Sequence, residues 1–326
     1  MTDVRAQRWA EVLAHLVDAL PGGSPGVVVD GPDAQTAEFA DRFAAAVRSS
    51  GRRCVRLEDP QPGGAETVAL AQGGRWRANP PGDRWDVVIW LRTAAPPGDP
   101  GDGADVVVDL RDPRWPVIRY VDPRLTARGR WYVSESRAFF GPRAATWDTT
   151  FGDDVPAYAA AVAEAALPPG GVVADVGCGT GRALPVLRSA VGEKGFVVGI
   201  DFTPQMLGVA RERGRADDAR LVLADARRLP FGTGALDAVF AAGLLMHLPD
   251  PGAGLRELAR VTRPGGRLVL FHPSGRAALA ARHGRTVRPD EALSEGPLRA
   301  LTVRTGWQVD AYDDAPHRFL AVATRA

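Results

Sequence analysis

Twice along this chain an apolar strand runs directly into a glycine-opened turn and then an amphipathic helix. The two stretches are "GVVVDGPDAQTAEFADRF" from Gly26 and "GGVVADVGCGTGRALPVLRSA" from Gly170. A strand followed by a crossover helix delivers the next strand parallel to the first, so each stretch should start a parallel sheet covered by helices. The alternation continues around both. In the first half strands are expected at 27–30, 54–58, 85–91, 105–110 and 116–121, with a helix at 34–49. Residues 59–83, rich in Gly and Pro, carry no clear pattern. In the second half strands are expected at 172–176, 196–200, 220–223, 235–241, 268–271, 308–312 and 319–324. Seven strands with intervening helices describe a doubly wound α/β sheet. A length of 326 residues suits about two domains. The boundaries are expected at 1–123, a helical bridge at 124–169, and 170–326.

The charge balance narrows the partners. Forty basic residues stand against 39 acidic ones, giving a net charge of +1 with no basic stripe, which argues against nucleic acid. The apolar runs fall well short of the ~20 residues that span a bilayer, so no membrane partner is expected. The opening "MTDVRAQRWAEVLAHLVDAL" lacks the apolar core of a signal peptide and reads as an amphipathic helix. Its expected apolar face carries Trp9, Leu13, Leu16 and Leu20. Two cysteines, Cys54 and Cys178, in different halves suit a reducing cytoplasm rather than a disulfide framework.

The first turn has the outline of a phosphate loop without its chemistry. A working loop follows G-x-x-x-x-G-K-[ST], in which backbone N–H groups cradle the phosphates and the lysine reaches the outer oxygens. Counting from Gly31, the glycine, lysine and hydroxyl positions hold Thr36, Ala37 and Glu38. Lys194 is the only lysine in the chain, so no other lysine can replace the missing one, and Arg42 is the one nearby cation. Residues 8–121 resemble the uridine-kinase-like branch of the P-loop fold through "VVVDGPD", "FADRFAAAVRSSGRRCVRL" and "ADVVVDLRDPRWPVIRY". The resemblance implies a smaller P-loop-like α/β domain, and the missing motif implies one that is catalytically inert and takes no ATP. Together with the amphipathic opening helix, an inert domain suits a homodimer interface.

The second turn is intact. Its glycines are Gly177, Gly179 and Gly181, with Asp175 two residues before the first, and Arg182 replaces the glycine that a dinucleotide fingerprint requires. This D-x-G-x-G-x-G form resembles the first motif of class I S-adenosylmethionine (SAM) dependent methyltransferases, and further motifs follow in order. "GFVVGIDFTPQML" ends a strand at Asp201, 24 residues beyond Gly177; "ARLVLADARRLPF" holds Asp225 and Ala226; "LDAVFAAGLLMHLPDP" and "TRPGGRLVLF" follow. The resemblance covers residues 134–326 and implies a Rossmann-like seven-stranded sheet with SAM as cofactor and S-adenosylhomocysteine as product. Carried over residue by residue, the cofactor-binding set is Asp175, Gly177, Gly179, Thr180, Gly181, Asp201, Phe202, Met206, Asp225, Ala226 and Gly243. Asp201 would take the ribose hydroxyls, Asp225 the adenine amino group, and Phe202 and Met206 an adenine face. The electropositive helix start after the glycines suits the cofactor's carboxylate.

Methyl transfer needs an acceptor placed in line with the sulfonium and, for a hydroxyl acceptor, a base. His247, after the fourth strand, is the candidate catalytic base, and an equal reading has it pack beside the cofactor without moving a proton. Candidate substrate contacts are Trp147 and Tyr158 in the bridge and His272 and Arg276 after the fifth strand. Arg276 suits an anionic acceptor, with core packing competing for the aromatics and a solvated surface for the arginine. No metal-ligand spacing is met, so no metal is expected. The acceptor is expected to be a small molecule, methylated on O or N. Two other readings stay open: a SAM-binding enzyme of non-methylating chemistry, and a non-enzymatic scaffold with a vestigial SAM site.

Overall fold

Val27, Val28 and Val29 are completely buried, as a central parallel strand covered on both faces requires. The computed structural model describes residues 3–31, 35–57, 66–93, 103–126, 131–151, 154–217, 219–282 and 286–326. The chain divides into two compact units, one running to Ser136 and the other starting at Arg137. The division falls inside the helix Trp131–Phe140.

The first unit is built on a six-stranded sheet. Its strands are β1 (Gly26–Asp30), β2 (Arg53–Arg56), β3 (Thr67–Gln72), β4 (Val87–Arg92), β5 (Val106–Asp109) and β6 (Val117–Val121). They lie in the order β2-β3-β1-β4-β5-β6, parallel except for β6 on β5. Strand β3 corrects the sequence reading, which saw five strands and no pattern at 59–83. "TVALAQ" has no polar alternation because Val68, Leu70 and Ala71 are all buried beneath both covering faces. The helix Gln35–Ser49 buries Phe39, Phe43 and Val47 at four-residue spacing. The opening helix Val4–Asp18 buries Arg8, Val12 and Leu16, and Trp9 packs on Phe39 with ring centroids 5.9 Å apart. Of the face expected from the sequence, Leu16 is buried and Trp9, Leu13 and Leu20 are half-buried.

The second unit holds a seven-stranded sheet: β7 (Val172–Val176), β8 (Phe196–Asp201), β9 (Arg220–Leu223), β10 (Leu236–Ala242), β11 (Thr262–His272), β12 (Trp307–Ala315) and β13 (Arg318–Arg325). The order is β12-β13-β11-β10-β7-β8-β9, with β13 antiparallel to both of its neighbours and the other pairs parallel. From β7 the chain moves outward to β8 and β9, then crosses back to β10 on the other side of β7. The carboxyl ends of β7 and β10 thus flank a topological switch point, where open α/β sheets hold ligands. Beneath that edge Phe240, Phe271, Leu184 and Val173 form the centre of the core. Strand β11 begins earlier than expected and contains Pro264, Gly265 and Gly266, its register against β10 shifting near Leu236. Among the described residues no helix is long and apolar enough to cross a membrane.

Phe240 has no exposed surface and touches the rings of Tyr158 and Phe271. Phe240→Ala is expected to lower the unfolding free energy of the second unit by about 3–5 kcal/mol. Urea denaturation followed by near-ultraviolet circular dichroism measures this, and a loss below about 1 kcal/mol would contradict the packing described.

Candidate functional site

Strand β7 leaves the sheet through Gly177, Gly179 and Gly181, all with positive φ (79°, 55° and 79°). A side chain at Gly181 would bring its Cβ to 2.9 Å from Leu184 Cδ1, so steric crowding joins backbone strain there. Gly179 differs: a Cβ there would meet nothing within 4 Å, so this glycine presents bare backbone to open space. The turn is tied to the neighbouring strand. Gly177 and Cys178 N–H groups donate to the Ile200 carbonyl at 2.8 and 2.9 Å, and Gly179 N–H donates to Asp201 Oδ2 at 3.0 Å. The other carboxylate oxygen of Asp201 accepts from Thr203 N–H at 2.8 Å.

Asp175 and Asp201 are 2% and 7% exposed, at the ends of adjacent strands. Asp175 Oδ1 is buried without any hydrogen-bond partner. Burial, reinforced by the Asp201 charge, pushes the Asp175 carboxyl up to about 8. Burial also raises Asp201, against the pull of its backbone donors at Thr203 and Gly179.

The helical side of the turn is held by ion pairs. Thr180, 1% exposed, donates its hydroxyl to Asp148. Arg215 lies 2.9 Å and Arg213 3.2 Å from the same carboxylate, and Arg215 also donates to the Thr180 carbonyl at 2.6 Å. Burial works to raise Asp148, yet the Thr180 hydroxyl and Arg215 outweigh it and leave the carboxyl below its ordinary value. Arg182 is buried and paired with Asp154. Thr180, a member of the expected cofactor-binding set, thus has its hydroxyl engaged by Asp148.

The other expected residues separate into groups. Met206 is buried with Phe140 and Ala144, beside Trp147 and Val209. Phe202 follows Asp201, and its carbonyl accepts from Arg137 Nε at 2.7 Å. Asp225 is half-buried, but both of its oxygens face Arg227 Nε and Nη2 at 2.7–3.1 Å. Ala226 beside it is buried. Trp147 packs edge-on to Phe140 at 5.6 Å, and Phe140 meets the His247 ring edge-on at 5.2 Å. Tyr158 lies within the core against Phe271 at 5.0 Å, and burial raises its phenol. Core packing, the competing explanation for this aromatic, accounts for its position.

A small cleft opens at the carboxyl ends of β10 and β11, lined by Gly243, Met246, Phe271, His272, Ser274 and Arg276 among others. His247 is not part of its lining. His272 Nδ1 lies 3.0 Å from the Ser274 carbonyl and 3.1 Å from the Ser274 N–H. Arg276 does not offer its charge to the cleft. Its Nε donates to Asp314 Oδ2 at 2.9 Å, its Nη1 to Ser294 Oγ at 2.9 Å, and Glu291 stands 3.5 Å away. One cation with two carboxylates corrects the expectation of an anion-binding arginine. Asp314, Ser294 and Glu291 escaped sequence reading because no local spacing links them to Arg276, Asp314 lying 38 and Ser294 18 positions away in the chain. His283 and Arg285, in the same stretch of sequence as Arg276, lie outside the described residues. Among the described residues no group of three or more metal-ligating side chains is found.

Residues 174–270 match the sequence family described as a methyltransferase domain. That match lies within the second unit. This domain is 39% identical over 103 residues to a demethylmenaquinone methyltransferase of Shouchella clausii, a match covering 31% of this chain and 44% of that protein. It is 34% identical over 146 residues to the O-methyltransferase cnsE of Penicillium expansum, covering 42% and 52%. An uncharacterized 37.1 kDa protein in transposon Tn4556 of Streptomyces fradiae is 41% identical over 106 residues, covering 32% and 31%. Among solved structures, a SAM dependent methyltransferase from Aquifex aeolicus superposes with a TM-score of 0.45 at 24% identity, over 60% of this chain and 98% of that one. The chain spans between about a third and a half of the length of these curated relatives.

The methyltransferase domain's turn should show its ion pairing in acid. The Asp148 carboxyl sits below its ordinary 3.8, so its contribution to stability is present above that pH and is lost as pH falls through the lowered value. Thr180→Val removes one of the groups that lower it, so the acid loss of thermal stability should begin at higher pH than in the unaltered protein. Coincident profiles between pH 2 and 5 would show that the hydroxyl does not hold Asp148.

Proposed function

We propose that this chain transfers a methyl group from SAM to a neutral, largely apolar small molecule held in the cleft beside His272. The observation that carries the reading is the Gly177–Gly181 turn, with bare backbone at Gly179 and its fastening to Asp201, inside a methyltransferase domain. The donor set suits the cofactor: two acidic strand ends face a positively charged ligand, and one buried carboxyl oxygen still lacks a partner. Asp201 retains lone pairs for the ribose hydroxyls while holding its two backbone donors. Asp225 would reach the adenine amino group only by sharing its oxygens with Arg227. When bound, SAM supplies an activated methyl on a sulfonium; the protein's part is to orient the acceptor, exclude water and move a proton.

The cleft speaks for the acceptor. Its lining is mainly Leu, Phe, Ala and Met, and its arginine is neutralised, so among the described residues a carboxylate or phosphate would find no free cation there. In the tautomer whose Nδ1–H donates to the Ser274 carbonyl, the basic nitrogen of His272 is Nε2, which suits removal of a hydroxyl proton. His247, packed on Phe140, is assigned to the wall of the site. One relative is named for demethylmenaquinone, a small apolar quinone, and another as an O-methyltransferase, whose name agrees with a hydroxyl acceptor.

For the first unit we propose the degenerate P-loop-like role, with domain limits at 1–123, 124–169 and 170–326. Residues 32–34 of the loop lie outside the described residues, but the flanking positions support the reading. Glu38 occupies the place of the magnesium-binding hydroxyl, and it pairs with Arg42 at 2.7 Å while Arg42 also covers the Trp9 ring at 4.6 Å. The nearest cation is therefore engaged.

Calorimetric titration tests both units. S-adenosylhomocysteine is expected to bind at micromolar strength or better and ATP with magnesium not at all; the reverse would overturn the reading. His272→Ala is expected to lower kcat by about 10²–10⁴-fold with little change in S-adenosylhomocysteine affinity. His247→Ala should cost less, and the opposite order would return the base to His247.

A further inference from the structure

The proposed function places the Asp175 carboxyl beside the cofactor but leaves its proton unaccounted for. The carboxyl is 98% buried by its 2% exposure, one oxygen has no hydrogen-bond partner, and a second buried carboxyl, Asp201, stands at the end of the adjacent strand. The two are treated differently by the fold. Asp201 receives the N–H groups of Thr203 and Gly179, whereas Asp175 Oδ1 receives none. A buried carboxylate with one oxygen lacking a donor and a like charge nearby is costly, so the ligand-free site favours a proton on Asp175.

The geometry points to Asp175 as the residue that couples binding at the Gly177–Gly181 turn to release of a proton, and so selects a cationic methyl donor over its uncharged product. The inference rests on the SAM reading above. At neutral pH SAM carries one net positive charge through its sulfonium, and S-adenosylhomocysteine, whose sulfur is an uncharged thioether, carries none. A net cation seated at the turn stabilises the ionised carboxylate, and the proton passes to solvent. The uncharged product gives little such stabilisation, so Asp175 regains its proton and the product's hold weakens. The site thereby opposes retention of the product that has lost its sulfonium.

The surrounding charges are compatible with this switch. Asp201 on β8 acts to keep Asp175 protonated. Cys178 in the turn is pushed up by burial and by both carboxyls, so it stays a neutral thiol. Tyr158, on the helix Val155–Ala165, is likewise held neutral, and the Arg182–Asp154 pair beside it is internally balanced. Burial and the neighbouring Asp201 charge together push the Asp175 carboxyl from its ordinary 3.8 up to about 8.

The test is calorimetry of SAM and of S-adenosylhomocysteine binding between pH 5.5 and 7.0, below the titration of the ligands' α-amino groups. Each ligand is run in two buffers of different ionisation enthalpy, which counts protons released. The expected result is close to one proton released with SAM and an affinity that rises about tenfold per pH unit. S-adenosylhomocysteine should release far less and change less than about threefold across the window. The unaltered protein suffices for this comparison, so it stands even if a variant fails to fold. In Asp175→Asn, which cannot ionise, the excess proton release with SAM should vanish while any contribution common to both ligands from His247 or His272 persists. Equal proton counts for the two ligands, or a SAM-specific release that survives in Asp175→Asn, would overturn the proposal and leave the methyl-donor reading standing. Failure of both ligands to bind would overturn both.

Discussion

The site depends on one buried carboxylate, Asp201, bridging two strands by backbone hydrogen bonds. It receives Gly179 N–H from the turn after β7 and Thr203 N–H from its own strand's exit. A buried carboxylate without donors costs several kcal/mol, whereas hydrogen bonds to a charged group each return about 1.5–3 kcal/mol. The two bonds therefore do more than satisfy Asp201. They fix the position of the one glycine in the turn whose backbone faces open space. The turn is rigid because its acceptor is rigid, held at the end of a strand buried in the sheet.

The other side of the turn is clamped by charge. Thr180, Arg213 and Arg215 converge on Asp148, and Arg182 meets Asp154. Such buried and half-buried pairs add little net stability compared with apolar packing, but breaking one partner is costly because the remaining charge is stranded. They act as registration, fixing Asp148 against Thr180 of the glycine turn and Arg215, and Asp154 against Arg182. The same principle shapes the cleft below β10 and β11. Arg276 is neutralised by Asp314 and Glu291, so the described part of the cleft has a polar wall whose arginine is paired.

Strand order along the second unit was legible because the parallel strands are short apolar runs separated by glycine turns and helices. The Gly177–Gly181 turn and Asp201 were legible for a related reason: backbone conformation and local hydrogen bonds constrain residue type within a few positions. Strand β3 was not, because a short strand covered on both faces shows no alternation and lies amid Gly and Pro. Long-range pairing was equally hidden. Nothing in the sequence says that Arg276 meets Asp314, that Thr180 turns toward Asp148, or that Tyr158 lies under Phe271. These are choices of the folded chain, made by which charges and rings the topology brings together. Asp225 shows the intermediate case, since its partner Arg227 is only two residues away and a carboxylate–guanidinium pair at that distance was available to local reading.

The central claim is that the Asp201-fastened glycine turn is where this protein holds its methyl donor. Amide hydrogen exchange resolved by residue, with and without S-adenosylhomocysteine, tests it most directly. The account predicts slower exchange on ligand addition at 177–182 and 201–206, with Gly179 among the amides affected, and no change at 26–43. Protection confined to 26–43, or unchanged exchange at the turn while the ligand binds, would contradict it.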